Sequence, residues 1–390
     1  MTTLDDDTST TGPHADEEGA ANPWATWLAR HDVQPYQLAR KAGWDAFVAA
    51  GPREDFATLT RTQMEGLGAD AREDYDEARM VWNANLPTIR TAQMASAFSL
   101  MGQVLASGRR DGDRLRGSVV IDAAPGLGKT TIATRFAKDF HRAQYRRHGP
   151  TTPEGHQRLP VAFVALTANM TLKTLNSKLL EFYGHPAAQR TTSTRLASLA
   201  VDCVVSCQTR LVVIDDLHFV DFAHRAGTEV SNHLKWLANE MPVTFVYTGV
   251  GLAAKKFFDE GLHGSDVVYA QTSRRATRCP VVPFSTTTAA GARAWVDLLA
   301  ALEGHLKLAE ARPGMLTDHA DLLFARTQGH IASLTNLLDR ACYLAITTGA
   351  ETVDEAVLSH VVTDNAAQNS YTAAQQQHPL QPTRAGGRGR

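Results

Sequence analysis

The stretch Ile121-Asp-Ala-Ala-Pro-Gly-Leu-Gly-Lys-Thr-Thr131 constrains the fold more than any other part of the 390-residue chain. It follows an apolar run, Ser118 to Ile121, and opens an amphipathic segment that continues to about His141, so it reads as strand, glycine-rich turn and helix. In that arrangement the backbone N–H groups around Gly126, Gly128 and Lys129 converge on an anion. The Lys129 ammonium then reaches the β- and γ-phosphates of a triphosphate, and the Thr130 hydroxyl is placed for Mg²⁺. The candidate lining is Ala123, Pro125, Gly126, Leu127, Gly128, Lys129, Thr130 and Thr131. Ala123 stands where the pattern G-x-x-x-x-G-K-[ST] begins with glycine, which requires a negative φ there, while Gly126 and Gly128 keep the freedom the turn needs.

Beyond Pro160 the pattern alternates strand and helix. Val161 to Leu166 reads as a strand, then helices near 171 to 183 and 193 to 208, a strand at Leu211 to Asp216, a helix ending near Glu240, a strand at Val243 to Thr248 and a last strand at Val281 to Phe284. Such alternation predicts an α/β domain built on a parallel sheet with helices on both faces, whose ligands sit at the carboxyl ends of the strands. One of those ends carries a second chemical element. The apolar run Leu211-Val-Val-Ile closes on Asp215 and Asp216, which places Asp215 near a Mg²⁺ held by Thr130 and leaves Asp216 facing the attacking water.

Five regions follow from composition and periodicity. Residues 1–22 form an acidic, almost non-apolar tail expected to be disordered, with Asp5, Asp6, Asp7, Asp16, Glu17 and Glu18. Residues 23–86 form a small helical region anchored by Trp24, Trp27, Trp44 and Trp82. Within it, Ala39 precedes Gly43 by the small-residue spacing of a helix-turn-helix, against which stand a plain helical hairpin and a docking module. Residues 87–285 hold the nucleotide-binding α/β domain, with Thr91 as N-cap of a helix ending at Ser107-Gly108; 286–363 form a helical lid and 364–390 a disordered tail. Arg142, Arg146 and Arg147 offer a basic cluster for DNA phosphate or for solvent. Net charge is −2, the four cysteines suit a reduced compartment, and neither a secretory leader nor a spanning apolar run is visible; a cytoplasmic protein with no membrane contact is expected.

Taken together, the chain resembles the AAA+ ATPases, and within them the TniB-type transposition ATPases related to TnsC and MuB. The resemblance covers roughly residues 80 to 360. It rests on Leu86-Pro-Thr-Ile-Arg-Thr91, on Ile-Asp-Asp-Leu-His218 with Val230 to Glu240, on Val246-Tyr-Thr-Gly-Val250 and on Gln271-Thr-Ser-Arg-Arg275. It implies that Thr248 is a sensor at a strand tip and that Arg274 or Arg275 is a finger reaching a neighbour's nucleotide. It further implies ATP and Mg²⁺ as ligands, an ATP-dependent homo-oligomeric ring or filament on duplex DNA, and a transposase and a target-site adaptor as partners. Two departures stand out. Asp216 replaces the usual glutamate, one methylene short, so hydrolysis is expected to be slow, and the lid's arginine position is Ala332. A non-hydrolysing ATP-gated scaffold is the alternative of a different kind. A replication initiator of the Cdc6 type would want a further DNA-binding domain, and a signalling or defence P-loop NTPase a repeat sensor.

Overall fold

The computed structural model describes residues 22–31, 35–108, 116–168, 170–189, 192–220, 225–252 and 276–377, and it describes the backbone alone at 225–228 and 374–377. Its centre is a parallel five-stranded sheet in the order β2-β3-β4-β1-β5. The strands are β1 (Ser118–Asp122), β2 (Val161–Ala165), β3 (Leu211–Asp215), β4 (Thr244–Gly249) and β5 (Ala276–Pro280). Buried on both faces, β1 to β4 are predominantly apolar runs, as a sheet covered by helices requires.

The last strand differs from the expectation of 281–284. Ala276–Pro280 pairs in parallel with β1, Ser118 opposite Ala276. As the edge it tolerates Thr277 and Arg278, which hid it from an apolar-run reading. Val281 to Phe284 instead leave the sheet: the Gln93 side chain bonds both Val282 N and O, and Phe284 N donates to Gly329 O at 3.0 Å. Gly329 has φ 70°, and a Cβ there would lie 2.2 Å from Phe284 O. The backbones of the sheet's exit strand and the lid's entrance therefore touch.

Around the sheet lie α5 (Ala92–Ser107), α6 (Lys129–His148), α7 (Leu172–Tyr183), α8 (Ser193–Ser206) and α9 (Arg225–Glu240). Thr91 caps α5 as expected, its side chain accepting from Met94 N, and Thr171 and Thr192 cap α7 and α8 in the same way. The lid comprises α10 (Ala289–Glu303), α11 (Ala320–Thr327), α12 (Ile331–Thr347) and α13 (Glu355–His360), packed around Trp295, Leu299, Leu334, Leu338 and Ala341. Residues 365–377, expected as part of a disordered tail, form α14 (Asn365–Gln377); Ala367 is buried and the Arg326 guanidinium lies 5.8 Å over the Tyr371 ring. Its glutamine- and alanine-rich composition conceals this amphipathic contact.

The amino-terminal helices α1 (Pro23–His31), α2 (Lys41–Ala49), α3 (Arg61–Glu65) and α4 (Ala69–Ala84) do not form one unit. Trp44, Phe47 and Val48 of α2 enter the α/β core, and Trp44 Nε1 donates to His141 Nδ1 at 3.0 Å, a ring that burial drives down to a pKa of about 4 and keeps neutral. Residues 37–40 are a turn and the apolar face of α2 is spent on this packing, which removes the helix-turn-helix reading. By contrast α3 and α4 are joined to the lid. Arg79 is 0 % exposed and bonds both oxygens of Glu351, itself 1 % exposed. Arg61 donates to Gly349 O and Ala350 O, and Trp82 Nε1 to His305 O at 2.7 Å.

A buried charge left without its partner is costly, so Arg79→Ala is expected to lower folding stability by about 3–5 kcal/mol. Neutralising both ends, Arg79→Met with Glu351→Gln, is expected to recover part of that loss. Urea unfolding of the two variants checks it.

Candidate nucleotide site

The P-loop emerges from β1 at the carboxyl edge of the sheet. Gly126 and Gly128 adopt φ of 76° and 79°, a region costly for any residue bearing a Cβ, and Gly128 caps α6. Ala123 is absent from the positive-φ residues, as its side chain demands, and its N–H donates to Gly249 O at 3.2 Å, tying the loop to β4. Leu127 is buried as the loop's apolar anchor, whereas Pro125, Gly126, Thr130 and Thr131 face the open edge.

Three elements bring polar side chains to that edge. The Thr130 hydroxyl donates to both oxygens of Asp215, at 2.9 and 3.1 Å. Thr248, fully buried one strand over, donates to Asp215 Oδ1 as well. Asp215 is 4 % exposed, and β4 lies directly between β3 and β1, so strand order alone delivers the sequence-predicted Thr130, Asp215 and Thr248 to one point. The Lys129 ammonium bonds Ala124 O at 2.8 Å, with no carboxylate of the described residues within ion-pair distance. Burial pulls its pKa below the ordinary range, against the opposing pull of Asp215, Asp216 and Asp122. A buried cation held by one carbonyl over a glycine cradle has the chemistry of a phosphate ligand. The adjoining hydroxyl and carboxylate are hard oxygen donors, which fit Mg²⁺ shared with a nucleotide.

Asp216 takes a left-handed conformation, φ 58° and ψ 37°, that carries its side chain off the strand direction. Burial first, and Asp215 second, lift its carboxyl above the usual range, while His218 and Lys129 act the other way. His218 Nδ1 lies 3.8 Å from Asp216 Oδ1. His218 belongs to the motif Ile-Asp-Asp-Leu-His, where its i, i+2 spacing from Asp216 beyond a strand end is the sequence signal for this contact. Arg274 and Arg275 lie outside the described residues.

The lid closes on the loop from above. Ala332 N donates to Gly126 O at 3.0 Å, so the first turn of α12 sits directly on the P-loop, and the position expected to lack a lid arginine is at the site. A cleft of about 1370 Å³ runs outward from there, with Ile89, Leu127, Val282, Phe284 and Ile331 among its apolar lining.

Strand order, P-loop, acidic strand end and helical lid define an AAA+ P-loop ATPase fold. Two solved structures share it: the ORC2 protein of Aeropyrum pernix in ADPNP–ADP complexes (TM-score 0.52, 15 % identity, covering 73 % of this chain and 68 % of that one) and the ORC1 protein of Aeropyrum pernix in complex with DNA (TM-score 0.53, 15 % identity, 76 % and 69 %). None of the curated proteins compared matches the chain. The family described as "Bacterial TniB protein" matches residues 79–260, so this part of the chain is TniB-like, as the sequence motifs imply.

Because Lys129 packs against the loop and contributes nothing to the sheet core, Lys129→Ala is expected to leave the fold intact and to lower ATP affinity at least 100-fold, equivalent to about 3 kcal/mol for a charge-assisted contact. Equilibrium titration with a fluorescent ATP analogue measures this; unchanged affinity in the folded variant removes the P-loop assignment.

Proposed function

We propose that the chain is an ATP-dependent regulator of transposition. ATP binding brings protomers together as a ring or filament on duplex DNA, the assembly engages a separate transposase and a target-site adaptor, and slow hydrolysis takes it apart. The nucleotide half is carried by one observation, the convergence of Lys129, Thr130, Asp215 and Thr248 on the loop at the ligand edge of the sheet. The transposition half is supported by the TniB-like character of residues 79–260. A cytoplasmic location belongs to the same proposal; no described helix is long and apolar enough to cross a membrane.

In this reading the amides of Gly126 to Thr130 and the Lys129 ammonium bind the phosphates, and apolar side chains of the cleft's lining take the base. Thr130 and Asp215 would hold Mg²⁺, which when bound would neutralise phosphate charge. Thr248 orients Asp215 through its hydroxyl, so its sensing of the γ-phosphate runs through that carboxylate. Asp216 takes the proton of the attacking water. Its short side chain, carried on a left-handed backbone, holds that water less well than a glutamate would, which is the physical basis for slow turnover. Accordingly Asp216→Asn is expected to bind ATP as the wild type does and to hydrolyse it at least 10-fold more slowly, with Asp216→Glu as fast or faster. Steady-state phosphate release decides; wild-type turnover in Asp216→Asn places the base elsewhere and favours an ATP-gated scaffold.

Arg274 or Arg275 is assigned as the finger that enters a neighbour's site. Support comes from position: both directly precede β5, the edge strand next to the P-loop strand. A guanidinium pairing with γ-phosphate oxygens favours assembly with ATP over ADP. The Arg274→Ala, Arg275→Ala variant is expected to keep single-protomer ATP affinity but to lose ATP-dependent growth in light scattering without DNA. Normal assembly of that variant contradicts the shared site.

A further inference from the structure

The turn that carries Asp216 is fixed through its backbone. Asp216 N–H donates to the Thr248 hydroxyl at 3.4 Å, Phe219 N donates to Asp216 O at 3.1 Å, and Leu217 is wholly buried, so the turn is fastened to β4, closed on itself and anchored in the core. The Asp216 carboxylate has no such support. Among the described residues no group donates a hydrogen bond to it, and His218 alone comes within ion-pair distance, with Nδ1 3.8 Å from Oδ1. Asp215 and Lys129 also face it, but Asp215 is engaged by the Thr130 and Thr248 hydroxyls and Lys129 by Ala124 O.

The imidazole is itself held in place. Its ring lies against Phe219, centroids 4.4 Å apart and planes inclined by 31°. The His218 side chain is 25 % exposed, yet Nδ1 is sealed from solvent, so water does not compete at the edge that faces Asp216. The Asp216 side chain is 41 % exposed and open on its other side. Catalytic hydrogen bonds are often long before the substrate arrives and tighten in its presence, so closing this gap to hydrogen-bond distance asks only for a small side-chain rotation.

We propose that His218 is a positioning residue for ATP hydrolysis: its Nδ1–H holds one oxygen of the Asp216 carboxylate and so turns the other toward the attacking water. This inference rests on the reading of Asp216 as the base. An aspartate cannot follow the water as a glutamate can, and a lateral donor that fixes its carboxylate plane raises the share of time spent in the productive orientation. In this role His218 touches neither the nucleotide nor the water, so it acts on kcat and leaves nucleotide binding alone. Only an Nδ1 donor serves. An asparagine amide nitrogen falls close to where Nδ1 lies, whereas that of glutamine falls close to Nε2.

The test measures steady-state phosphate release and the affinity for a fluorescent ATP analogue in the full chain, with thermal unfolding as the folding control. His218→Leu and His218→Gln are each expected to lower kcat about 10-fold and to keep analogue affinity within about 2-fold of the wild type, while His218→Asn recovers most of the loss. In the Asp216→Asn background, His218→Leu is expected to cost less than about 2-fold more, because its partner is already gone. Wild-type turnover in Asp216→Asn removes the base itself, and this inference with it. Slowed turnover in Asp216→Asn overturns the His218 assignment alone when it comes with any of three results: unchanged turnover in folded His218→Leu and His218→Gln, a fully multiplicative loss in the double variant, or equal turnover in His218→Asn and His218→Gln, which marks the ring as packing for Phe219 only.

Discussion

The Asp215 carboxylate is the interaction on which the rest of the site depends. It is nearly buried, and it accepts from a hydroxyl on the P-loop helix and from a hydroxyl on the neighbouring strand. Without those donors a carboxylate at that depth would be left with its desolvation uncompensated. With them, β3, β4 and α6 share one point at the ligand edge, and a phosphate drawn to Lys129 arrives beside hard oxygen donors. The parallel order β3-β4-β1 is what makes this possible, since the sequence separates Thr130 from Asp215 by two helices and a strand.

Above that edge the molecule has two bodies meeting at the P-loop. Helix α2 belongs to the sheet through Trp44 and through the cations of α6, while α3 and α4 belong to the lid through Arg79, Arg61 and Trp82. The chain crosses between them at residues 50–53 and again at 86–91, both of which line the cleft. The Gly126–Ala332 contact therefore joins the body that carries α3 and α4 to the P-loop.

Much of the site was legible from sequence because its parts are local: a strand closing on Asp215, a glycine-rich turn, a threonine at a strand tip. Each is a short pattern whose geometry follows from the strand end that carries it. The edge strand at 276–280 was not legible, because an edge needs no apolar face and Thr277 and Arg278 satisfy it as well as valines would. Nor was the split of the amino-terminal helices, which turns on long-range pairs such as Arg79 with Glu351 that no periodicity announces. Helix α14 was hidden for a related reason, since its glutamine- and alanine-rich sequence shows its apolar side only once α11 is beside it.

The central claim is that a nucleoside triphosphate sits in the glycine cradle beneath the first turn of α12. Hydrogen exchange of the full chain, with and without ATP and Mg²⁺, addresses it directly because the amides concerned are the ligands. The account predicts slowed exchange confined to three stretches: 124–130 in the loop, 86–91 along the cleft and 329–335 at the lid's entrance. Unchanged exchange at 124–130 in the presence of saturating ATP, or protection appearing only elsewhere, would contradict it.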